Sequence, residues 1–272
     1  MPELPEVETI KTDLEKVILN QTITKVDVLR ASVVKQPEIN KFKAGLTNAL
    51  IKQIIRRGKL LVIDIQTKDK KTLYLTIHLR MTGQLVYGAL DKKARVSFKL
   101  SNGDYLCYND QRTLGELRLV KDWKQLSVVA KMGPEPLSSE FKLNLFAKIL
   151  AKRSAKIKPL LLDQHFIAGI GNIYAAEALF LSKIMPDRLA CSLKPDEVKL
   201  LFKNIKQVLN KAIKCRGSSF SDYRDGHGQK GNFSQHFYVY GRKAQPCLVC
   251  KNKIQRIALG GRGTFFCGKC QV

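Results

Sequence analysis

The 272-residue sequence is short of several things. It has no apolar run approaching the roughly 18 residues of a membrane span, and its N-terminus lacks the basic-then-apolar layout of a signal peptide. The chain is therefore expected to stay in the cytosol or with nucleic acid. It carries no internal repeat and no low-complexity tract. Negative charge is scarce: 23 Asp and Glu stand against 48 Lys and Arg, a formal net charge of +25. Such a surplus implies an anionic polymer or surface as partner. A ribosomal-type basic surface has the same balance, so the motifs must decide between them.

What is present begins with length and cysteine. A chain of 272 residues, 44% apolar and 26% charged, suits a globular protein of two domains, each with its own core. Four of the seven cysteines, Cys247, Cys250, Cys267 and Cys270, form two Cys-x-x-Cys pairs sixteen residues apart. Each pair can offer two thiolates to one tetrahedral zinc ion. A pair of disulfides is the structural alternative, and it fits an intracellular basic chain poorly. Cys107, Cys191 and Cys215 read as plain core or boundary residues.

In chain order, Val7, Ile10, Leu14, Val17 and Ile18 mark an amphipathic helix headed by Met1-Pro2-Glu3-Leu4-Pro5-Glu6. Strand-like segments follow at 22–28, 60–65, 73–79, 96–100 and 104–108, the last two joined through Ser101-Asn102-Gly103, a strong hairpin signal. Several short strands argue for a β-sandwich or barrel. The β character stops near Val120, and Lys131-Met132-Gly133-Pro134-Glu135-Pro136 reads as a stiff linker. Helical periodicity takes over at 141–149, 157–164 and 195–213.

Two places suggest chemistry. If Met1 is removed, Pro2 becomes a free secondary amine at a helix head. An α-amine has a reference pKa of about 7.7–8.0, so part of it is neutral near pH 7, and the helix dipole disfavours the ammonium form further. Glu3 and Glu6 beside it could be ordinary first-turn carboxylates. In Gly169-Ile170-Gly171-Asn172-Ile173-Tyr174, two glycines permit close backbone approach, and Asn172 is placed as N-cap of a helix whose N–H groups would favour phosphate. Lys158 could reach the same anion. An ordinary capped helical hairpin would have the same pattern.

Taken in order, Pro2-Glu3-Leu4-Pro5-Glu6-Val7-Glu8-Thr9, Arg57-Gly58-Lys59, His78-Leu79-Arg80-Met81-Thr82-Gly83, Gly133-Pro134-Glu135-Pro136-Leu137, Gly169 to Tyr174, Val239-Tyr240-Gly241-Arg242 and the four cysteines resemble the bacterial formamidopyrimidine-DNA glycosylase family, from residue 2 to residue 270. The resemblance implies an α+β protein. A β-sandwich with a leading helix (1–132) precedes a linker (133–137), a helix–two-turn–helix DNA-binding domain (138–240) and a zinc ribbon (241–272), with DNA in the cleft between. It implies a monomeric enzyme of base excision repair, cytoplasmic with the nucleoid DNA and holding one structural zinc ion. Its substrate would be double-stranded DNA containing oxidised purines or abasic sites. Such an enzyme excises 8-oxoguanine and formamidopyrimidines through a Schiff base on Pro2 and cuts the strand by β,δ-elimination.

The same resemblance gives the site residues their roles. Glu3 becomes the proton donor, Glu6 its support, Lys59 the donor for β-elimination, and Arg262 the donor for δ-elimination and a phosphate contact. His78, Lys158, Asn172 and Tyr240 contact the DNA backbone, Met81 and Arg112 fill the vacated stack, and the 218–231 loop covers the extruded base. Two positions depart from the family pattern. Leu114 stands where an aromatic wedge is usual, and Lys93 and Arg95 stand where a His-x-His pair is common. Two other readings are an endonuclease VIII-like oxidised-pyrimidine glycosylase and a catalytically silent protein that binds lesions through cleft and ribbon.

Overall fold

The computed structural model describes residues 1–219 and 222–272. Phe220 and Ser221, inside the loop expected to cover the extruded base, lie outside the described residues. The chain divides into two units: Met1–Ala130 with Cys215–Asn232, and Lys131–Lys214 with Phe233–Val272. The stretch 215–232, placed by the sequence reading within 138–240, packs with the first unit. Its anchors are the Ser218 N–H, which donates to the Glu6 carboxylate at 2.7 Å, and Arg216, which donates to Asp13 at 2.6 Å.

The first unit opens with α1 (Leu4–Ile18). Leu4, Val7, Ile10, Leu14 and Ile18 are all buried, so one face of the helix is committed to the core. Glu3 is the N-cap, Pro5 sits in the first turn where no hydrogen bond is lost, and Glu6 closes a capping box with Glu3.

The strands are β1 (Thr22–Val28), β2 (Val34–Gln36), β3 (Ala49–Arg57), β4 (Leu60–Gln66), β5 (Thr72–His78), β6 (Gly83–Gly88), β7 (Val96–Leu100), β8 (Tyr105–Asp110) and β9 (Glu116–Val120), with α2 (Ile39–Leu46) between β2 and β3. They hydrogen-bond in the order β2-β9-β5-β4-β3-β1-β7-β8-β6, and β2 pairs with β9 in parallel. β1 is the corner. Thr22 and Ile23 pair with β3, and Ile23 to Val28 pair with β7 on the other side, with a register shift between Ile23 and Lys25. Such a bulge bends a strand and raises its twist. Ile51, Ile63 and Ile77 from one half and Val96, Phe98 and Leu106 from the other share one buried cluster with Val7, Ile10 and Leu14. A flat sheet could not bring them together, so the unit is a sandwich with a leading helix.

The strands expected from the sequence form within two residues of their expected ends, and the Asn102-Gly103 turn forms with Gly103 at φ +93°. β3 has no two-residue alternation to read. A register shift between Ile51 and Gln53 moves its buried positions to 49, 51 and 54.

The second unit contains α4 (Leu143–Ala151), α5 (Ile157–Leu162), α6 (Asn172–Leu181), α7 (Pro195–Lys214) and a ribbon of β10 (Gln255–Leu259) with β11 (Arg262–Phe266); a single turn, α3 (Ser127–Ala130), closes the first unit. Phe141 stacks on Phe202 at 4.8 Å and meets Phe146 edge-on at 5.3 Å, geometries that aromatic rings favour. α6 packs on α5, α7 and β11, which explains why it is apolar nearly all round. Among the described residues, no helix is long and apolar enough to cross a membrane.

Candidate active site and nucleic-acid interface

Pro2 is buried immediately before the N-cap, whereas Met1 is 43% exposed. Glu3 and Glu6 are both buried. Glu6 Oε2 accepts the Glu3 N–H at 2.8 Å, and its Oε1 accepts the Ser218 N–H at 2.7 Å. One carboxylate thus joins the chain start to the 217–218 turn. Gly217 has φ +78°, and a Cβ there would lie 2.9 Å from Glu6 Cγ, so the turn requires glycine. Further along α1, Asp13 accepts from Arg216 at 2.6 Å and from the Gly226 N–H at 3.2 Å, while Arg216 also donates to Asp225. The base of the loop is therefore fastened to the helix that carries Pro2.

Lys59 occupies the β3–β4 turn and is buried. Arg56 fastens that turn to α1, donating through Nε to Glu8 at 2.5 Å and through Nη1 to the Gly58 carbonyl at 3.1 Å. Leu60 pairs with His78 in the β4–β5 register, so Lys59 and His78 lie at neighbouring positions. His78 Nδ1 accepts the Arg80 N–H at 3.1 Å, which leaves the proton on Nε2. Burial first, and the Arg80 charge next, hold this imidazole down to about 4. His78 is a neutral donor, not a cation.

Met81, Arg112 and Leu114 come from two loops, β5–β6 and β8–β9, and all three are exposed. Arg112 Nη1 lies 3.4 Å from Met81 Sδ. Their neighbours Arg80 (φ +52°) and Thr113 (φ +51°) adopt left-handed backbone, which costs a non-glycine residue about 1–2 kcal/mol. Lys93 is exposed, but Arg95 turns inward and donates to the Asp110 carbonyl at 2.9 Å.

In the second unit, Lys158 is fully buried and donates to Asn172 Oδ1 at 2.5 Å and to Thr264 Oγ1 at 2.8 Å. Asn172 Nδ2 donates to the Gly263 carbonyl at 3.1 Å. The N-cap of α6 is Gly171 and not the expected Asn172, because both ends of the Asn172 amide are engaged by Lys158 and Gly263. Gly260 (φ +56°) and Gly261 (φ +70°) make the two-residue turn that presents exposed Arg262. Glu177 accepts the N–H groups of Tyr238, Val239 and Tyr240 at 2.8, 3.0 and 2.8 Å. Burial pushes its carboxyl up despite those bonds. Gln164 organises the glycine turn, donating to the Ile170 carbonyl and accepting the Gly169 N–H. Sequence reasoning missed both residues. A lone carboxylate in the apolar run Ile173–Leu181 could have signalled Glu177, whereas nothing marks Gln164.

The Sγ atoms of Cys247, Cys250, Cys267 and Cys270 lie within 4.8 Å of one another. A tetrahedral zinc with Zn–S near 2.3 Å requires sulfurs about 3.8 Å apart. The Cys247–Cys270 and Cys250–Cys267 separations of 3.9 and 3.4 Å bracket that value, so the set fits a zinc site.

Three stretches of the chain match models of known protein families. Residues 1–117 match the formamidopyrimidine-DNA glycosylase N-terminal domain, 132–224 the H2TH domain of formamidopyrimidine-DNA glycosylase, and 244–272 a zinc finger found in FPG and IleRS. The three matches in series define a DNA glycosylase architecture with a zinc finger. The chain belongs to the formamidopyrimidine-DNA glycosylase family. It is 43% identical to the formamidopyrimidine-DNA glycosylase of Pelotomaculum thermopropionicum, covering 100% of this chain and 99% of that one. The Lactococcus lactis Fpg in complex with DNA containing an abasic site superposes with a TM-score of 0.90 at 36% identity, over 99% of both chains. The Thermus thermophilus MutM (Fpg) structure gives 0.88 at 35%, over 99% of this chain and 98% of that one.

The neutral His78 has a consequence for stability. The unfolded imidazole, near 6.5, takes up a proton before the folded one does. Stability is therefore lost as pH falls from about 6.5 toward 4. Thermal melts should show a shallower acid-side decline for His78→Gln than for the parent; identical slopes would contradict the assignment.

Proposed function

We propose that this chain is a bifunctional DNA glycosylase and AP lyase of base excision repair. It removes oxidised purines, 8-oxoguanine and formamidopyrimidines, from double-stranded DNA. The observation that carries the reading is the buried Pro2 at the head of α1, with Glu3 and Glu6 in one capping box and the Lys59 turn fastened to the same helix.

After Met1 leaves, the Pro2 lone pair attacks C1′ and the C1′–N9 bond breaks, the base departing with the electron pair and taking up the amine proton. Glu3 protonates O4′ as the C1′–O4′ bond opens, leaving an iminium that carries a fixed positive charge. That charge acidifies C2′, whose proton is lost as the 3′ phosphate is expelled. Loss of a second proton expels the 5′ phosphate. Lys59 serves the first elimination and Arg262 the second. Glu6 acts as a positioning group, since both its oxygens accept amide N–H groups.

Met81, Arg112 and Leu114 fill the stack left by the extruded nucleotide, whose removal costs a few kcal/mol. His78 offers a neutral N–H to phosphate. Asn172, Tyr240 and Arg262 meet the backbone, with Lys158 holding Asn172 in place. Cys247, Cys250, Cys267 and Cys270 hold one structural zinc ion, and four thiolates leave no open position for catalysis. The protein works as a cytoplasmic monomer on the nucleoid DNA.

Borohydride should trap a covalent adduct between abasic DNA and the mature protein but not Pro2→Gly; absence of an adduct with the mature protein would leave a lesion-binding module. Chelation of zinc should unfold the ribbon and abolish duplex affinity, and a zinc-free preparation that still binds would sink the structural role. Leucine lacks the π-face that stacks on bases, a contact worth about 1–3 kcal/mol. Leu114→Phe should therefore strengthen lesion search or shift opposite-base preference in excision assays, and no change in either would refute the wedge reading.

A further inference from the structure

Asp110 closes β8 and is 2% exposed. Its Oδ1 accepts the Thr82 hydroxyl at 2.5 Å, while its Oδ2 accepts the Gly115 N–H at 2.7 Å and the Tyr108 hydroxyl at 3.1 Å. Thr82 Oγ1 in turn accepts the Arg112 N–H at 3.1 Å. One buried carboxylate thus ties the residue after Met81 to the residue after Leu114 and, through Thr82, to the backbone of Arg112.

Packing enforces the same arrangement. A Cβ at Gly115 would lie 1.7 Å from the Tyr108 hydroxyl, and a Cβ at Gly83 would lie 2.9 Å from the same oxygen. Both loops close on that hydroxyl and require glycine to do so. Each also contains a left-handed non-glycine residue, Arg80 and Thr113. Such conformations persist only where the surroundings over-determine them. A hub with every arm satisfied rigidifies its surroundings, and losing one arm leaves a buried donor without a partner.

We propose that Asp110 is a positioning residue that locks the β5–β6 and β8–β9 loops into one rigid probe, so that Met81, Arg112 and Leu114 enter a duplex in fixed register. The inference rests on the glycosylase reading above. A fixed probe matters when a base must be displaced and its orphaned partner met. It does not matter for a single strand that already lacks the base.

The test compares two substrates: 8-oxoguanine in a duplex opposite cytosine or adenine, and a single-stranded abasic oligonucleotide trapped with borohydride. Asp110→Asn and Thr82→Val should each lower duplex excision about tenfold or more, as misplacement of about an ångström does, and should compress the discrimination between opposite bases. Trapping on the single strand should stay at the parent level, and Thr82→Ser, which keeps the hydroxyl, should restore duplex excision. Asp110→Asn can unfold the sandwich, so Thr82→Val, which removes one arm, carries the decision. Equal losses on both substrates, full duplex activity with discrimination intact, or Thr82→Ser as poor as Thr82→Val would overturn the proposal. If the parent protein forms no adduct on abasic DNA, duplex or single-stranded, the glycosylase reading itself falls and this inference falls with it; an adduct on the duplex alone overturns this inference and leaves that reading standing.

Discussion

The Glu6 carboxylate accepts amide N–H groups from Glu3 and from Ser218, 212 residues further along the chain, and that bridge ties the start of the chain to the 217–218 turn. Chain termini fray unless something ties them down. Two devices hold this one. The apolar stripe of α1 is sunk in the sandwich core, and Glu6 fixes the residues on either side of the helix start against the 217–218 turn. The Arg56–Glu8 pair adds the β3–β4 turn to the same helix, so the lysine proposed to assist elimination shares a frame with the proposed nucleophile.

A common construction recurs in both units: a buried polar group holds the backbone from which an exposed side chain projects. Asp110 holds the loops of Met81, Arg112 and Leu114. Lys158 joins Asn172 to the ribbon hairpin that presents Arg262, and Glu177 gathers the amides of residues 238–240. A buried charge is costly unless its partners are complete, and in each hub the hydrogen bonds are short and several. The +25 charge supplies attraction to a polyanion, but attraction alone does not aim a side chain. These hubs do.

Much of this was legible in the chain. Spacing gave α1, α7 and the strands β1, β4, β5, β7 and β8, because a 3.6-residue or two-residue period follows directly from which face is buried. The cysteine spacing gave the four-thiol cluster, because each knuckle is local. β3 is hidden in the sequence because its bulge breaks the period, and the 215–232 segment packs with the first unit because its partners Glu6 and Asp13 lie far back in the chain. The Asn172 side chain resembled a helix cap, yet Gly171 holds that place because Lys158 and Gly263 claim the amide.

The sequence by itself determined the composition of the site: an imino acid second in the chain, carboxylates in the first helical turn, a basic surplus and four thiols in two pairs. These are properties of residues close in sequence, so local rules reach them. Only the tertiary structure decided that Lys158 is buried and turned to Asn172, that Arg95 faces the Asp110 carbonyl, that His78 stays neutral, and that Asp110 gathers two loops. Each of those depends on partners from other segments and on burial, and burial exists only once the chain has closed around its core.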